Sequence, residues 1–228
     1  DPELRDVVMN LYTPRAPAKA RIHSNEPCTA SRKAAGFVSH TEIDVSGTEL
    51  VGACQPGQSI GVQVPGVDEH GKAHKIRLYS LSSPSGGEGG NPAILATTVK
   101  RLIDRHREHG KLFLGVASNH ICDLAPGDEI LVTGPAGKRF LLPRDVNRYE
   151  YTFFATGTGI APFRAMILEL LGAGCPSRIT LVAGAPYATD LMYHQAFVEL
   201  ATAHRNFTYL PTVSRERQDD GNPKLYVQ

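Results

Sequence analysis

The sequence predicts a chain of two parts: an antiparallel barrel of short β-strands, followed by a doubly wound α/β domain with a parallel sheet. Two observations support this β + α/β fold class. Up to about residue 143, short apolar stretches alternate with turns that contain glycine and proline, which is the pattern of antiparallel strands. After residue 145 the order becomes strand, helix, strand, helix, strand, which is typical of a parallel sheet.

Length and composition exclude several classes of protein. The 228 residues suffice for two modest domains, each with its own core, and a net charge of +1 gives no indication of a nucleic acid partner. No apolar run approaches the roughly eighteen residues of a membrane helix, so no membrane span is expected. The cysteines lack the close pairs used by metal and iron–sulfur sites, so we expect free thiols and no metal site at Cys28, Cys54, Cys122 and Cys175.

The strands of the first part follow a polar arm. Residues 1–25 are expected to form this arm and the start of the first strand, which lies near residues 18–22. Residues 101–111 are so polar that a solvated loop is expected there. The barrel domain is predicted to span residues 18–146. Its other strands are predicted at residues 37–40, 59–64, 76–81, 93–100 and 129–133. Residues 65–66 and 70–71 mark a loop, residues 86–90 are expected to form a flexible connection, and residues 134–137 a turn.

The second part, residues 147–228, alternates strands and helices. An apolar strand at residues 151–155 runs into a glycine-rich turn, and Pro162 stands at the start of a helix that ends before Gly174. Three strands in about eighty residues make up roughly half of a doubly wound fold, so we expect this domain to be incomplete. The remaining elements are predicted at residues 179–183 (strand), 191–204 (helix) and 207–213 (strand).

The glycine-rich turn at residues 157–162 has the context of a nucleotide site. It follows a strand and precedes a helix, where glycines let the backbone approach a pyrophosphate and the free N–H groups favour its charge. The alternative is a tight turn without a ligand. The flanking strand and helix favour nucleotide binding.

The stretch at residues 77–80 has the chemistry of a site for a flat, phosphate-bearing ligand. On a strand, Arg77 and Tyr79 share one face and Ser80 points to the other. A guanidinium suits a diphosphate, and an aromatic ring suits stacking. The alternative is an edge strand with a surface arginine and a core tyrosine.

Together these two stretches and six further motifs resemble the plant-type ferredoxin–NADP reductases, in the same order and at similar spacing. The resemblance runs from about residue 11 to residue 228. It implies a six-stranded FAD-binding barrel followed by an NADP-binding α/β domain. It also implies an enzyme that exchanges electrons between NADP(H), as hydride, and a one-electron carrier such as ferredoxin or flavodoxin. The further motifs are residues 56–62, 99–102, 115–119, 122–124, 134–137 and 214–216.

The resemblance assigns residues to both cofactors. Tyr79 would stack on the flavin ring, Arg77 would hold the pyrophosphate, and Ser80, the catalytic candidate, would place its hydroxyl near flavin N5. The 2′-phosphate of NADP would meet Ser214, Arg215 and Lys224, with Tyr226 on adenine; a site for NAD would carry an acid there instead. The remaining assigned residues are Lys100, Gly115, Val116, Ala117, Ser118 and Thr156 for FAD, and Gly157, Thr158, Gly159 and Pro162 for NADP.

The sequence also departs from the family pattern. Asp104 stands where many plant members have an aromatic residue that stacks on the FAD adenine, four residues after the lysine. The resemblance therefore implies that the adenine is held differently, for example by His106, or that FAD binds more loosely. The family's last motifs would fall after residue 228, so the chain is expected to be C-terminally incomplete. Residues 185–190 resemble bacterial members, which favours a cytoplasmic protein over a plastid one.

Two alternatives stay open from the sequence. One is the reductase module of a multicomponent oxygenase-type system, and the other is a flavin-binding fragment without turnover. The resemblance further implies a basic face for an acidic electron carrier, interrupted by Asp104 and Glu108. Its predicted members are Lys72, Lys75, Arg101, Arg105, Arg107 and Lys111.

Overall fold

The computed structural model describes residues 2–30, 37–105, 110–215 and residue 227, and these form eleven strands and three α-helices. The first eight strands are β1 (Ala18–Pro27), β2 (Val38–Asp44), β3 (Ser59–Gln63), β4 (Arg77–Ser80), β5 (Ile94–Lys100), β6 (Ile103–Arg105), β7 (Leu112–Leu114) and β8 (Glu129–Ala136). Helix α1 (Val116–Asp123) lies between β7 and β8. The later elements are β9 (Tyr151–Thr156), α2 (Ile160–Gly172), β10 (Ile179–Ala185), α3 (His194–Ala203) and β11 (Phe207–Val213).

Six of the strands form an antiparallel barrel, as the sequence predicted. Their order is β4-β3-β8-β1-β2-β5. The two outer strands meet just after β4, where Leu81 bridges Thr97 and the Thr97 hydroxyl donates to the Ser80 carbonyl at 2.8 Å. This contact closes the sheet, and the core inside it is aliphatic. Its most buried side chains include Ile22, Ile43, Ile60, Val62, Ile130 and Val132.

The second sheet is parallel, with the order β11-β10-β9 and in-register pairing throughout. Side chains of β9 alternate between buried and exposed, with Phe153 buried and Phe154 58% exposed. Leu170 of α2 and Phe197 of α3 both join the core cluster on the buried face. Both helices therefore lie on one face of this sheet, which is the arrangement of one half of a doubly wound domain.

Several element boundaries differ from the sequence prediction. Strand β1 extends to Pro27 because its second half pairs with β2, and β8 continues to Ala136, where a turn was expected, because Ala136 pairs with Ser59. The prediction of a loop at residues 101–111 was wrong at residues 103–105, which form β6 and pair with β7. The four cysteines are free, as expected. Among the described helices, none is long and apolar enough to cross a membrane.

A largely buried ion pair joins the barrel to the α/β domain. Arg164 of α2 donates to both carboxylate oxygens of Glu88, at 2.8 and 2.7 Å, and to the Ser82 carbonyl at 2.8 Å. The two side chains are only 14% and 17% exposed. The guanidinium also lies 4.9 Å from the ring centroid of Tyr193. Glu88 belongs to residues 86–90, which the sequence suggested to be a flexible connection; instead they carry this interdomain contact.

A second ion pair tethers the N-terminal arm to α2. Glu169 accepts hydrogen bonds from Arg5 at 2.9 Å and from the Ser85 backbone at 3.0 Å. Burial alone would raise the pKa of Glu169, but these donors hold it below its usual value. The helix that follows the glycine-rich turn is therefore fixed to the barrel at two points along its length.

Replacing Glu88 with glutamine (Glu88→Gln) is expected to lower the free energy of unfolding by about 3 kcal/mol, because the buried guanidinium loses its counter-charge. Burial by itself would raise the pKa of Glu88, but the bonds and charge of Arg164 hold it below its usual value. The carboxylate therefore contributes its full stabilisation at pH values above the usual carboxyl pKa, which is that of the unfolded chain. This contribution is lost as the pH falls through the lower pKa of the folded state. Chemical denaturation at several pH values should show the difference between the two proteins shrinking in acid.

The matched control is Glu129→Gln. Glu129 forms an exposed ion pair with Lys19 at 3.7 Å, which is expected to be worth less than about 1 kcal/mol. Equal losses in the two variants, or a Glu88→Gln effect that stays constant with pH, would contradict the role assigned to Glu88.

Candidate functional site

One cavity brings together the two stretches singled out in the sequence. It has a volume of about 930 Å³ and lies between the barrel and the α/β domain. This is near the upper end of the roughly 300–1,000 Å³ of small-molecule pockets. Its walls come from β4, the loop before it, the end of β5, the β6–β7 hairpin, the first turn of α1 and the start of α2. Residues 77–80 thus face residues 158–162, although about eighty positions separate them in the sequence.

Strand β4 supplies the cationic and aromatic wall of the cavity. All four of its residues line it; Arg77 is exposed, whereas Tyr79 is half-buried and packs against the barrel core. Burial raises the pKa of Tyr79 to about 12, with a smaller contribution from Cys122, so its phenol stays protonated at neutral pH. The Ser80 carbonyl is held by Thr97.

The first turn of α1 forms another wall of the cavity. Gly115 is the N-cap, and no side chain caps the helix, so the first backbone N–H groups lack helical partners. Gly115, Val116, Ala117 and Ser118 all line the cavity, as does Lys100 at the end of β5. A Cβ at Gly115 would lie only 2.7 Å from the Ser118 hydroxyl and 2.8 Å from Leu102, so the turn requires glycine.

The Ser118 hydroxyl has a structural role in this turn. It accepts from the Leu102 backbone at 3.1 Å and donates to the Gly115 carbonyl at 3.2 Å. Ser118 lies two residues after Val116, where the helix begins. Its side chain therefore ties the helix start to the hairpin before it.

The glycine-rich turn forms the opposite wall. Gly157–Gly159 is a single 3₁₀ turn in which Gly157 has a φ of 54°, a left-handed conformation that favours glycine. Helix α2 begins directly after it, and Pro162 is its third residue. Thr158, Gly159 and Pro162 line the cavity, whereas Thr156 and Gly157 are exposed at the end of β9 and lie outside its lining.

Ser214 and Arg215 lie at the same edge of the parallel sheet as the glycine-rich turn. They follow β11, and their backbone N–H groups donate to Ala185 at 3.1 Å and Pro186 at 2.9 Å. Only β10 separates β11 from β9, so this edge spans roughly 10 Å. Dinucleotides bind across the carboxyl ends of such strands. Lys224 and Tyr226, assigned to the same subsite, lie outside the described residues.

The expected basic face holds only in part. Lys72 and Lys75 line the cavity beside β4. Arg101 does not belong to this face, because its side chain is 14% exposed, pairs with Asp123 and lies over the Phe37 ring. Arg105 is exposed on β6, and Arg107 lies outside the described residues.

The structure also assembles a cluster that sequence reasoning missed. His40, Glu42 and Glu88 place one potential metal-ligand atom each within 4.8 Å of one another. His40 Nε2 lies 3.6 Å from Glu42 and 3.8 Å from Glu88, while its Nδ1 meets the Tyr193 hydroxyl at 2.9 Å. Burial and the charge of Arg164 lower the pKa of His40. Since Arg164 already holds both oxygens of Glu88, we interpret this cluster as part of the interdomain contact.

Comparisons with known proteins agree with this geometry. Residues 153–228 match the family described as "Oxidoreductase NAD-binding domain". A ferredoxin–NADP reductase from Spirulina sp. is 35% identical over 98% of this chain and 76% of its own length. A chloroplastic leaf isozyme from Oryza sativa subsp. indica is 37% identical over 97% of this chain, which spans 61% of that protein.

A solved structure gives the same result. Ferredoxin–NADP+ reductase from Plasmodium falciparum superposes with a TM-score of 0.69 at 25% identity, covering 93% of this chain and 76% of that one. The similarity extends over both the barrel and the α/β domain. By sequence and by fold, the chain belongs to the ferredoxin–NADP reductase family, whose members are FAD-dependent NADP(H) oxidoreductases.

Proposed function

We propose that this chain is an FAD-dependent oxidoreductase that exchanges electrons between NADP(H) and a one-electron carrier such as ferredoxin or flavodoxin. The observation that carries the proposal is the single cavity in which β4, the first turn of α1 and the glycine-rich turn face one another. Under this proposal residues 18–146 bind FAD and residues 147–228 bind NADP(H). The family membership of the chain supports both halves.

The residues present fit FAD. When bound, FAD accepts two electrons as hydride and releases them one at a time. Tyr79 presents a ring for stacking, and Arg77 presents a cation for the diphosphate. The N–H groups at the start of α1 add partial positive charge beside Lys100. The full proposed FAD set is Arg77, Tyr79, Ser80, Lys100, Gly115, Val116, Ala117, Ser118 and Thr156.

The carboxyl edge of the parallel sheet fits the nucleotide. Gly157, Thr158, Gly159 and Pro162 would admit the diphosphate and the nicotinamide end. Ser214 and Arg215 would take the 2′-phosphate that distinguishes NADP from NAD, through a hydroxyl and a cation. Lys224 and Tyr226 complete this proposed subsite.

The partner and the location are further parts of the proposal. The relatives' names specify ferredoxin, and Lys72 and Lys75 beside β4 suit an acidic carrier. We propose a bacterial, cytoplasmic protein because residues 185–190 resemble bacterial members. The cyanobacterial and chloroplastic relatives, at 35% and 37% identity, are about equally similar to this chain.

The direct test is an absorption spectrum of the purified protein during titration with NADPH. We expect a yellow protein whose flavin bands bleach as hydride is transferred, together with reduction of ferricyanide in steady state. A colourless protein that takes up no added FAD would contradict the proposal. A yellow protein that NADPH does not bleach would favour a flavin-binding fragment without turnover.

Ser80→Ala is expected to leave FAD bound but to slow hydride transfer by on the order of tenfold, because one hydrogen bond near the reacting atoms is lost. Stopped-flow bleaching by NADPH measures the rate, and flavin content measures binding. The control is Ser59→Ala, which removes the hydroxyl of the residue that pairs with Ser80 on β3. A Ser80→Ala rate equal to that of the wild type would remove Ser80 from the mechanism.

Arg215→Ala is expected to raise the Kd for NADPH about tenfold and to leave the Kd for NADH unchanged, since only NADPH carries the 2′-phosphate. Equilibrium titration of both nucleotides measures the ratio. Arg178→Ala is the matched control, because Arg178 is an exposed arginine at the opposite edge of the same sheet. Equal weakening of both nucleotides in Arg215→Ala would refute the 2′-phosphate assignment.

A further inference from the structure

The cavity contains a second aromatic ring for which the sequence assigned no role. Besides Tyr79, the phenylalanine and tyrosine residues among its described lining comprise only Phe113, on β7. Phe113 is 44% exposed and stands two residues before Gly115, the N-cap of α1. At about 3.3 Å per strand residue, its Cα lies within roughly 7 Å of the helix start.

The hairpin is joined tightly to the helix start. The Gly115 backbone donates to the Leu102 carbonyl at 2.9 Å, and the Leu102 backbone donates to the Ser118 hydroxyl. Lys100 and Leu102 also line the cavity. If a ligand's diphosphate is held at this helix end, the next group of the ligand would therefore lie beside the hairpin.

Strand pairing places Phe113 opposite a residue that the sequence had marked as unusual. Asp104 on β6 is the direct cross-strand partner of Phe113. Side chains of directly paired residues lie on the same face of a hairpin, roughly 5 Å apart at Cβ. An aromatic ring at either position covers much of the same surface. The Asp104 carboxylate itself accepts from the Arg105 backbone at 2.7 Å.

We propose that Phe113 is the stacking surface for the adenine of FAD, so that the aromatic expected at position 104 is supplied from across the hairpin. This inference rests on the proposed function, because it assumes FAD in the cavity. FAD has two ring systems joined by a diphosphate. With the flavin at Tyr79 and the diphosphate at Arg77 and the start of α1, the second ring falls at Phe113.

The test uses FMN, which carries the flavin ring but lacks the adenylate half of FAD. Stacking of a base on an aromatic side chain is worth on the order of tenfold to a hundredfold in affinity. Phe113→Ala is therefore expected to raise the Kd for FAD by about that factor and to leave the Kd for FMN unchanged. Both constants are measured by flavin fluorescence on the purified full chain after reversible removal of its flavin.

Two further variants sharpen the test. Leu112→Ala is the matched control, because Leu112 is 63% exposed on the same strand but points to the opposite face of the hairpin; neither Kd should change. The double variant Asp104→Tyr with Phe113→Ala returns the aromatic to β6 and is expected to restore FAD affinity while leaving FMN affinity unaltered.

The outcomes separate this inference from the function on which it rests. Unchanged FAD affinity in Phe113→Ala, or equal losses for FAD and FMN, would overturn the assignment of Phe113. A loss that is seen instead in His106→Ala would transfer the role to His106. Should Phe113→Ala fail to fold, Phe113→Leu keeps the apolar bulk without the ring, and FAD affinity should again fall more than FMN affinity. A wild-type protein that binds neither flavin would defeat the proposed function itself.

Discussion

The geometry of the cavity depends on the ion pair between Arg164 and Glu88. Arg164 lies in the second turn of α2, two residues after Pro162, which lines the cavity together with Ala161. Glu88 belongs to a barrel loop, and both side chains are largely buried. Removing one charge would leave the other buried without a partner, at a cost of several kcal/mol. The pair therefore determines where the glycine-rich turn stands relative to β4.

A polar network extends from this ion pair to the cavity wall. The Tyr193 hydroxyl meets Thr98 at 2.6 Å and His40 at 2.9 Å, and Thr98 lines the cavity. Burial, with a smaller contribution from Cys28, raises the pKa of Tyr193, so its phenol remains neutral and able to donate. Thr98, a residue of the cavity wall, is thus tied through Tyr193 to the interdomain ion pair.

Local signals in the sequence predicted those structural elements that depend on interactions between neighbouring residues. Apolar alternation gave the strands, and the glycines with Pro162 gave the start of α2, because these features act within a few residues. Contacts that neither apolar alternation nor turn residues mark were not predictable in this way. The polar run at residues 101–111 looked like a loop because its charged composition does not indicate the pairing of residues 103–105 with β7. Glu88 looked mobile among glycines because its partner, Arg164, is 76 residues away.

Net charge was equally uninformative about the site, because the charges are unevenly distributed. The chain as a whole carries +1, yet four cations line the cavity: Lys72, Lys75, Arg77 and Lys100. One carboxylate, Asp68, also lines it, but one of its oxygens accepts from the backbones of His70 and Lys72, both at 2.9 Å. That carboxylate shapes its own loop and offsets only one of the four positive charges. A concave surface with this excess of positive charge attracts a diphosphate into the cavity. At the rim of the cavity, the same charge favours the approach of an acidic protein. Under the proposed function, Arg77 and Lys100 would serve the cofactor, while Lys72 and Lys75 would serve the partner, without a basic chain overall.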